Sequence, residues 1–252
     1  MPEILQLIAE ARGAAFEHRF DQAARLASGV LDRLPTCLAA LRILAWAQLE
    51  LDADDEPTAR NTFQLCVAID PEDPFAYVGQ AIWYQQRRDN QSAIRLWIQA
   101  WELDPQNQAI RRALVKLTGE LPESTLAETL GLLRAHREDD AADLLRQLRR
   151  ERTDSAVALK LITALWASGA QREAFDVAVA VHASHPQSVK AALYVAALED
   201  RAGRTLRSRE AIARAEQVDP GLTLFADLVR QVGLENALDQ HRASRTPLAA
   251  AR

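Results

Sequence analysis

Apolar side chains recur along this chain at spacings of three and four residues, which is the pattern of amphipathic α-helices. The clearest segment has two such stripes: Tyr77, Ala81 and Tyr84 in the first, and Ala93, Ile94, Trp97, Ala100 and Trp101 in the second. The polar residues 87–90 separate the stripes. The segment therefore predicts two amphipathic helices joined by a turn.

This two-helix unit repeats along the chain. A small residue stands twelve positions before a proline in five places: Ala23 and Pro35, Ala59 and Pro71, Ala93 and Pro105, Ala174 and Pro186, Ser208 and Pro220. Small residues let two helices approach closely, and proline ends a helix and redirects the chain. Because such a unit cannot bury its apolar face alone, the repeat predicts a stack of helix pairs.

The pattern resembles the tetratricopeptide repeat, a 34-residue helix–turn–helix unit with Trp-x2-Leu-Gly-x2-Tyr, then Ala-x3-Phe, then Pro. Six copies cover about residues 4–220. The fourth is degenerate, since Leu132, Ala141, Leu145 and Leu148 fit but Thr153 stands in the proline position. The resemblance implies an all-α fold, an α-solenoid that forms a right-handed superhelix of tetratricopeptide-like repeats.

An extra helix interrupts the repeats. Pro105 and Thr153 are 48 residues apart, 14 more than one repeat, and the surplus is an amphipathic segment from Gln108 to Thr118, followed by Gly119. We therefore predict a first array, residues 1–119, of three repeats with a capping helix at 108–118. A second array, residues 120–243, has three repeats and C-terminal capping helices, the last of which could instead bind a partner or a second copy. Residues 244–252 are expected to be a disordered tail.

Composition and charge argue against nucleic-acid binding and membrane insertion. The 252 residues carry a net charge of −5, and neither half has the strong basic excess typical of nucleic-acid binding. The arginine cluster between 146 and 152 is interleaved with Asp143 and Glu151, as on a solvated helix face. No signal sequence or membrane-length apolar run is visible, so we expect a cytoplasmic protein without membrane insertion. Cys37 and Cys66 are expected to be buried thiols.

Catalytic and cofactor motifs are not found in the sequence. No glycine-rich phosphate loop, G-x-S-x-G elbow or cysteine nucleophile motif is present, so no cofactor is expected. His182 and His185 lack further metal ligands, and the acidic residues between 52 and 56 lack the glycine and glutamate of a calcium loop. An enzyme would need a buried carboxylate or histidine between the arrays, near His136 and Asp139.

The resemblance also implies where a ligand binds, because the first helix of each tetratricopeptide pair lines a concave groove that holds a peptide. Helix phase places these residues in the first groove: Arg12, Gln48, Phe75, Ile82 and Gln85, with Ile8 and Gln86 beside them. The second groove receives Lys160, Thr163, Lys190, Tyr194 and Arg201. Two of the three lysines of the chain fall in this set, which predicts an acidic or C-terminal carboxylate peptide as its ligand.

These features favour a non-catalytic scaffold or adaptor that binds a peptide or protein partner in the concave groove of the solenoid. The alternative is a regulatory or chaperone subunit of an enzyme or of a secretion or assembly complex. The protein is expected to be a monomer or a weak homodimer.

Overall fold

The structure, a computed structural model, describes residues 2–51 and 58–245. These residues form fifteen α-helices and one short 3-10 turn at Pro220–Leu222, with no β-strand among them. The helices are α1 (Pro2–Phe16), α2 (Phe20–Leu31), α3 (Leu38–Leu51), α4 (Thr58–Ile69), α5 (Pro74–Gln86), α6 (Asn90–Leu103), α7 (Gln108–Thr118), α8 (Thr125–Arg134), α9 (Glu138–Glu151), α10 (Ser155–Ala167), α11 (Gln171–Ser184), α12 (Val189–Arg201), α13 (Thr205–Val218), α14 (Ala226–Val232) and α15 (Glu235–Arg245). The predicted all-α class is confirmed.

The helices pack as consecutive pairs, and six pairs correspond to the six predicted copies. The small residues of the repeat pattern lie at the contacts within the pairs and are buried: Ala23, Ala59, Ala93, Ala141, Ala174 and Ser208. Gly79 of α5 allows an equally close approach between two neighbouring pairs, because the ring of Phe63 of α4 lies where a side chain at position 79 would be. The predicted helix–turn–helix organisation is therefore present in the structure.

The turn between the two helices of a repeat contains one residue whose backbone adopts the left-handed conformation, with positive φ. Gly169 and Gly203 fill this position in the turns before α11 and α13. His18, Arg88 and His136 fill it in the turns before α2, α6 and α9, with φ of 59°, 61° and 54°. The backbone of a residue that carries a Cβ atom is strained in this conformation. The turns at His18, Arg88 and His136 therefore each lower the free energy of unfolding relative to a glycine at the same position.

Polar side chains begin several helices by accepting the free N–H groups of the first turn. Asp73 accepts from the Phe75 N–H at 3.1 Å, with Pro74 as the first residue of α5. Asp154 accepts from the Val157 N–H at 2.9 Å at the start of α10. Both caps lie in loops that contact the other half of the chain, so they also fix the position of these loops.

The largest buried cluster contains residues from both predicted arrays. Leu38, Leu41, Cys66 and Ile69 of the first array share it with residues of the second array, from α8 to α15. Leu224, which follows the 3-10 turn, packs against the cluster of α1, α2 and α3. The Thr36 hydroxyl also donates to the Gln217 carbonyl oxygen at 3.5 Å. The first repeat therefore contacts the segment that follows the sixth.

The extra helix α7 packs against α6 through Ile110 and Leu114, while α14 and α15 contact α12 and α13. The division of the chain at residues 119 and 120 stays a prediction. Ser244 and Arg245 end α15, whereas the rest of the predicted tail, 246–252, lies outside the described residues, as do the acidic residues between 52 and 56. Among the described helices, none is both long and apolar enough to cross a membrane.

Candidate functional site

An open groove runs across α1, α3 and α5, which are the first helices of the first three pairs. Its volume is about 730 Å³. Arg12 and Phe16 come from α1, Trp46 from α3 and Phe75 from α5, and Leu224 lies at its edge. Phe16 is 88% exposed, which is unusual for a phenylalanine and leaves a large apolar surface facing solvent. We call this surface the first groove.

The aromatic floor of the first groove is held by packing from below. The rings of Trp46 and Phe75 lie 5.7 Å apart, and Phe75 lies 6.0 Å from the fully buried ring of Phe63. Arg42 also lines the groove, but its guanidinium donates to Asp73 at 2.7 Å. Arg12 is exposed at the rim. The groove therefore offers an apolar floor and a cationic rim.

Part of the set predicted for the first groove lines this groove in the structure, and the rest does not. Arg12 and Phe75 line it, whereas the Gln48 Oε1 accepts from the Thr62 hydroxyl at 2.7 Å and the Gln85 Oε1 accepts from Trp97 Nε1 at 2.8 Å. Ile82 is half-buried between two apolar clusters, Ile8 is buried and Gln86 is exposed.

Sequence reasoning missed Phe16, Trp46 and Leu224 as groove residues. Phe16 stands four residues after Arg12, which places both on one helix face, so that spacing could have identified it. Leu224 carries no such signal, because it reaches the groove from the far end of the repeats.

The second set of predicted residues is not an open groove, because a loop of the first array fills it. The loop 70–73, between α4 and α5, places the Glu72 carboxylate 2.9 Å from Lys160 Nζ and 2.6 Å from Lys190 Nζ. The Glu72 side chain is 6% exposed and each lysine is 16% exposed. Burial alone would raise the pKa of Glu72, but Lys160 and Lys190 hold this pKa below its usual value. We call these three residues the Glu72 triad.

The aromatic side of this region is also closed. Tyr194 is fully buried and its hydroxyl donates to Thr163 Oγ1 at 3.4 Å, while its ring lies 5.3 Å from that of Trp166. Arg201 stacks over the outer face of Trp166 at 4.5 Å and is the exposed member of the predicted set. The prediction that Lys160, Lys190 and Tyr194 face an incoming peptide is wrong for this structure, because Glu72 and the packed core already occupy them.

Three carboxylates crowd the loop 70–73. Asp73 pairs with Arg42, and burial raises the pKa of Asp73 despite this partner. Burial, with the nearby charges of Glu72 and Asp73, raises the pKa of Asp70 to about 6. The Tyr77 hydroxyl donates to the Pro71 carbonyl oxygen at 3.1 Å. The loop is thus held by specific bonds although its own charges repel each other.

A smaller cavity of about 320 Å³ lies where α4, α5 and α6 face α10. Arg152 crosses it, with Nη1 3.1 Å from Glu102 and Nε 2.8 Å from Asp154. Ser155 Oγ lies 2.9 Å from His185 Nε2 at the edge. Since Arg152 pairs with both carboxylates and Asp154 also caps α10, these charges join the two halves of the chain.

The other candidate histidines do not form a common site. His182 Nε2 lies 3.0 Å from Arg214, so its partner differs from that of His185. His136 is 89% exposed, which places it outside any buried pocket between the arrays. Within residues 2–51 and 58–245, no group of three or more His, Cys, Asp or Glu side chains could hold a metal ion.

Comparison with known proteins gives similarities of fold at low identity. No protein-family model matches the chain, and no curated protein matches it. The structure of the TPR2AB domain of yeast Sti1 in complex with pHSP90 contains a chain that is 15% identical to this one. The match covers 96% of this chain and 98% of that chain, with a TM-score of 0.41. A tetratricopeptide repeat protein from Parabacteroides merdae is 11% identical, over 98% and 95% of the two chains, with a TM-score of 0.41. Yeast Tom70 is 15% identical, over 97% of this chain and 55% of that chain, also at 0.41. The resemblance to tetratricopeptide repeats therefore depends on the repeat pattern and the paired helices of this chain.

Proposed function

We propose that this all-α protein of paired, tetratricopeptide-like helices is a protein-interaction scaffold that binds a peptide segment of a partner in the first groove. The observation that carries the proposal is an open groove of about 730 Å³ whose floor is formed by Trp46 and Phe75 and whose edge is the exposed Phe16. Aromatic side chains on a rigid floor are the residues that most often dominate binding energy in protein interfaces.

The chemistry of the groove defines the ligand class. Leu224 of the chain itself lies at one edge, so a branched apolar side chain fits against these helices. Arg12 at the rim favours an acidic residue in the ligand. We therefore infer a peptide with two or more large apolar side chains and a neighbouring carboxylate, bound by a protein without catalysis of its own. Adaptors and regulatory or chaperone subunits both need such a groove, and they differ in the identity of the partner.

Peptide display on the immobilised parent protein, followed by fluorescence anisotropy with the selected peptides, tests this proposal. We expect enrichment of sequences that combine Leu, Ile, Met or Phe with Asp or Glu. Phe16→Ala and Trp46→Ala should each weaken binding by about tenfold, because the first removes apolar contact area at the edge of the groove and the second removes it from the floor.

Leu206→Ala is the matched control, because Leu206 is 71% exposed on α13 and does not line the groove. It should leave the affinity unchanged. If the selected peptides bind Phe16→Ala and Trp46→Ala as tightly as the parent, or if Leu206→Ala weakens them equally, the first groove is not the binding site. Circular dichroism checks that each variant remains helical.

A further inference from the structure

One wall of the first groove comes from beyond the repeats. Leu224 lines the groove together with residues of α1, α3 and α5, although it lies between the 3-10 turn and α14. Its side chain is half-buried and packs against both the cluster of α1, α2 and α3 and the largest buried cluster. A peptide in the first groove would therefore contact a residue that follows the sixth repeat.

Specific bonds fix the backbone of this wall. Asp219 is fully buried, and its carboxylate accepts from the Leu224 N–H at 2.8 Å and from the Thr223 hydroxyl at 3.2 Å. On the other side of the same segment, Gly221 lies beside the side chain of Leu5 of α1. Because its backbone is held at these points, Leu224 presents a fixed apolar surface to the groove, and a fixed surface can discriminate between ligand side chains by size.

The position of Leu224 limits the space that a ligand can use. Leu224 bounds the groove at its edge, while Trp46 and Phe75 bound it at the floor. In an apolar pocket, one methylene group too many or too few changes the affinity by about tenfold or more. A change in the length of the side chain at position 224 should therefore alter which apolar side chain fits beside it.

We propose that Leu224 is a specificity-determining residue of the first groove, and that it sets the size of the apolar ligand side chain that lies beside it. The segment after the sixth repeat is then part of the partner-binding site as well as a structural cap. This inference rests on the proposed function, because it requires a partner peptide in the first groove.

Peptide display on three immobilised full-length proteins tests this role. The parent, Leu224→Ala and Leu224→Phe are each exposed to the same library of random peptides. Leu224→Ala should select larger apolar residues than the parent, such as Phe and Trp, because the shorter wall leaves more space. Leu224→Phe should select smaller ones, such as Ala and Val.

Fluorescence anisotropy then measures the size of the effect. A peptide selected on the parent is compared with a copy that carries Trp at the selected apolar position. The ratio of their two affinities should differ by about tenfold between the parent and Leu224→Ala. The ratio is the decisive quantity, because a general loss of stability weakens both peptides alike.

Leu222→Ala is the matched control. Leu222 lies in the same segment and is 2% exposed, but it is not among the residues that line the groove. Its truncation should lower the melting temperature and leave the affinity ratio unchanged. Leu224→Met, which nearly conserves the side-chain volume, should also keep the ratio. If circular dichroism shows that Leu224→Ala is not helical, Leu224→Val, which is shorter by one methylene group, replaces it.

The outcomes separate this inference from the proposed function. If the parent and the Leu224 variants select the same residues with the same ratio, while Phe16→Ala weakens binding, the first groove holds peptides but Leu224 does not set their size. An equal change of the ratio in Leu222→Ala would also overturn the role of the Leu224 side chain. If the parent selects no peptide, the proposed function fails, and this inference fails with it.

Discussion

At the scale of single residues, environment rather than residue type decides how the acidic groups of one loop behave. Lys160 and Lys190 hold the pKa of Glu72 below its usual value, whereas burial and like charges raise the pKa of Asp70, two residues earlier, to about 6. Arg42 is nearer to Asp73, at 2.7 Å, than to Asp70, at 3.8 Å. Asp70 is thus the carboxylate of the loop with the weakest compensation.

Asp70→Asn should stabilise the protein at neutral pH. The folded pKa of Asp70, about 6, lies above the ordinary value of 3.8, so the folded state binds its proton more tightly than the unfolded state. The contribution of Asp70 to stability should therefore fall as pH rises from about 4 to about 6 and then level off. The variant removes this loss, with a gain of at most about 3 kcal/mol at pH 7 that disappears near pH 4.

Urea unfolding of the parent and Asp70→Asn at pH 4, 5, 6 and 7 measures this difference. Asp104→Asn is the matched control, since Asp104 precedes Pro105 as Asp70 precedes Pro71. A stability difference that stays constant from pH 4 to pH 7 would contradict the assignment to Asp70.

The residue scale also shows the limit of prediction from sequence. Helix phase predicted that Lys160 and Lys190 line the second groove, because phase depends only on local spacing. In the structure both ammonium groups instead face the Glu72 carboxylate. Helix phase could not show that Glu72 fills the space between them, since that contact depends on how the arrays face each other. Local periodicity contains no information about this arrangement.

At the scale of elements, the repeat pattern predicted well what local interactions determine. The predicted helix from Gln108 to Thr118 has the bounds of α7, because Asn107 caps its start and Gly119 adopts a left-handed conformation at its end. The segment after Pro220 was less predictable, since the 3-10 turn there is held by Asp219, which accepts from the Leu224 N–H at 2.8 Å. Helix periodicity does not predict this hydrogen bond, because Asp219 and Leu224 both lie between α13 and α14 rather than in a helix.

The turns inside the repeats give a prediction at this scale. His136→Gly should raise the free energy of unfolding by up to about 1 kcal/mol, because glycine adopts the left-handed conformation without strain. Gly169→Ala, at the corresponding turn before α11, should lower it by about 1 kcal/mol or more, since nothing but backbone conformation opposes the new methyl group there. Chemical denaturation measures both changes, and equal signs for the two variants would contradict this account.

At the scale of the whole molecule, the two predicted arrays share buried surface rather than standing apart. Leu38, Leu41 and Ile69 lie in the same cluster as the core of the second array, and Arg152 connects to Glu102 across the smaller cavity. Repeat proteins are usually stabilised by contacts between sequence neighbours alone. In this chain, contacts between distant repeats add a second source of stability.

Unfolding should therefore be one cooperative transition. Scanning calorimetry should give a ratio of calorimetric to van't Hoff enthalpy of about 1, whereas two resolved transitions would show that the arrays unfold separately. Cys66 provides an independent probe, because its side chain is fully buried at the shared core and burial raises its thiol pKa to about 12. Its labelling by a thiol reagent should follow the same urea midpoint as the helical signal.

The contacts that join the beginning of the chain to the sixth repeat and to the segment after it have a consequence for how such a chain can change in length. An open solenoid can gain or lose one repeat and keep the remaining interfaces. Here Thr36 contacts Gln217, and the side chain of Leu5 lies beside Gly221, so a duplicated repeat would pull both contacts apart. The number of repeats is therefore constrained in this protein, much as strand number is constrained in a closed β-barrel.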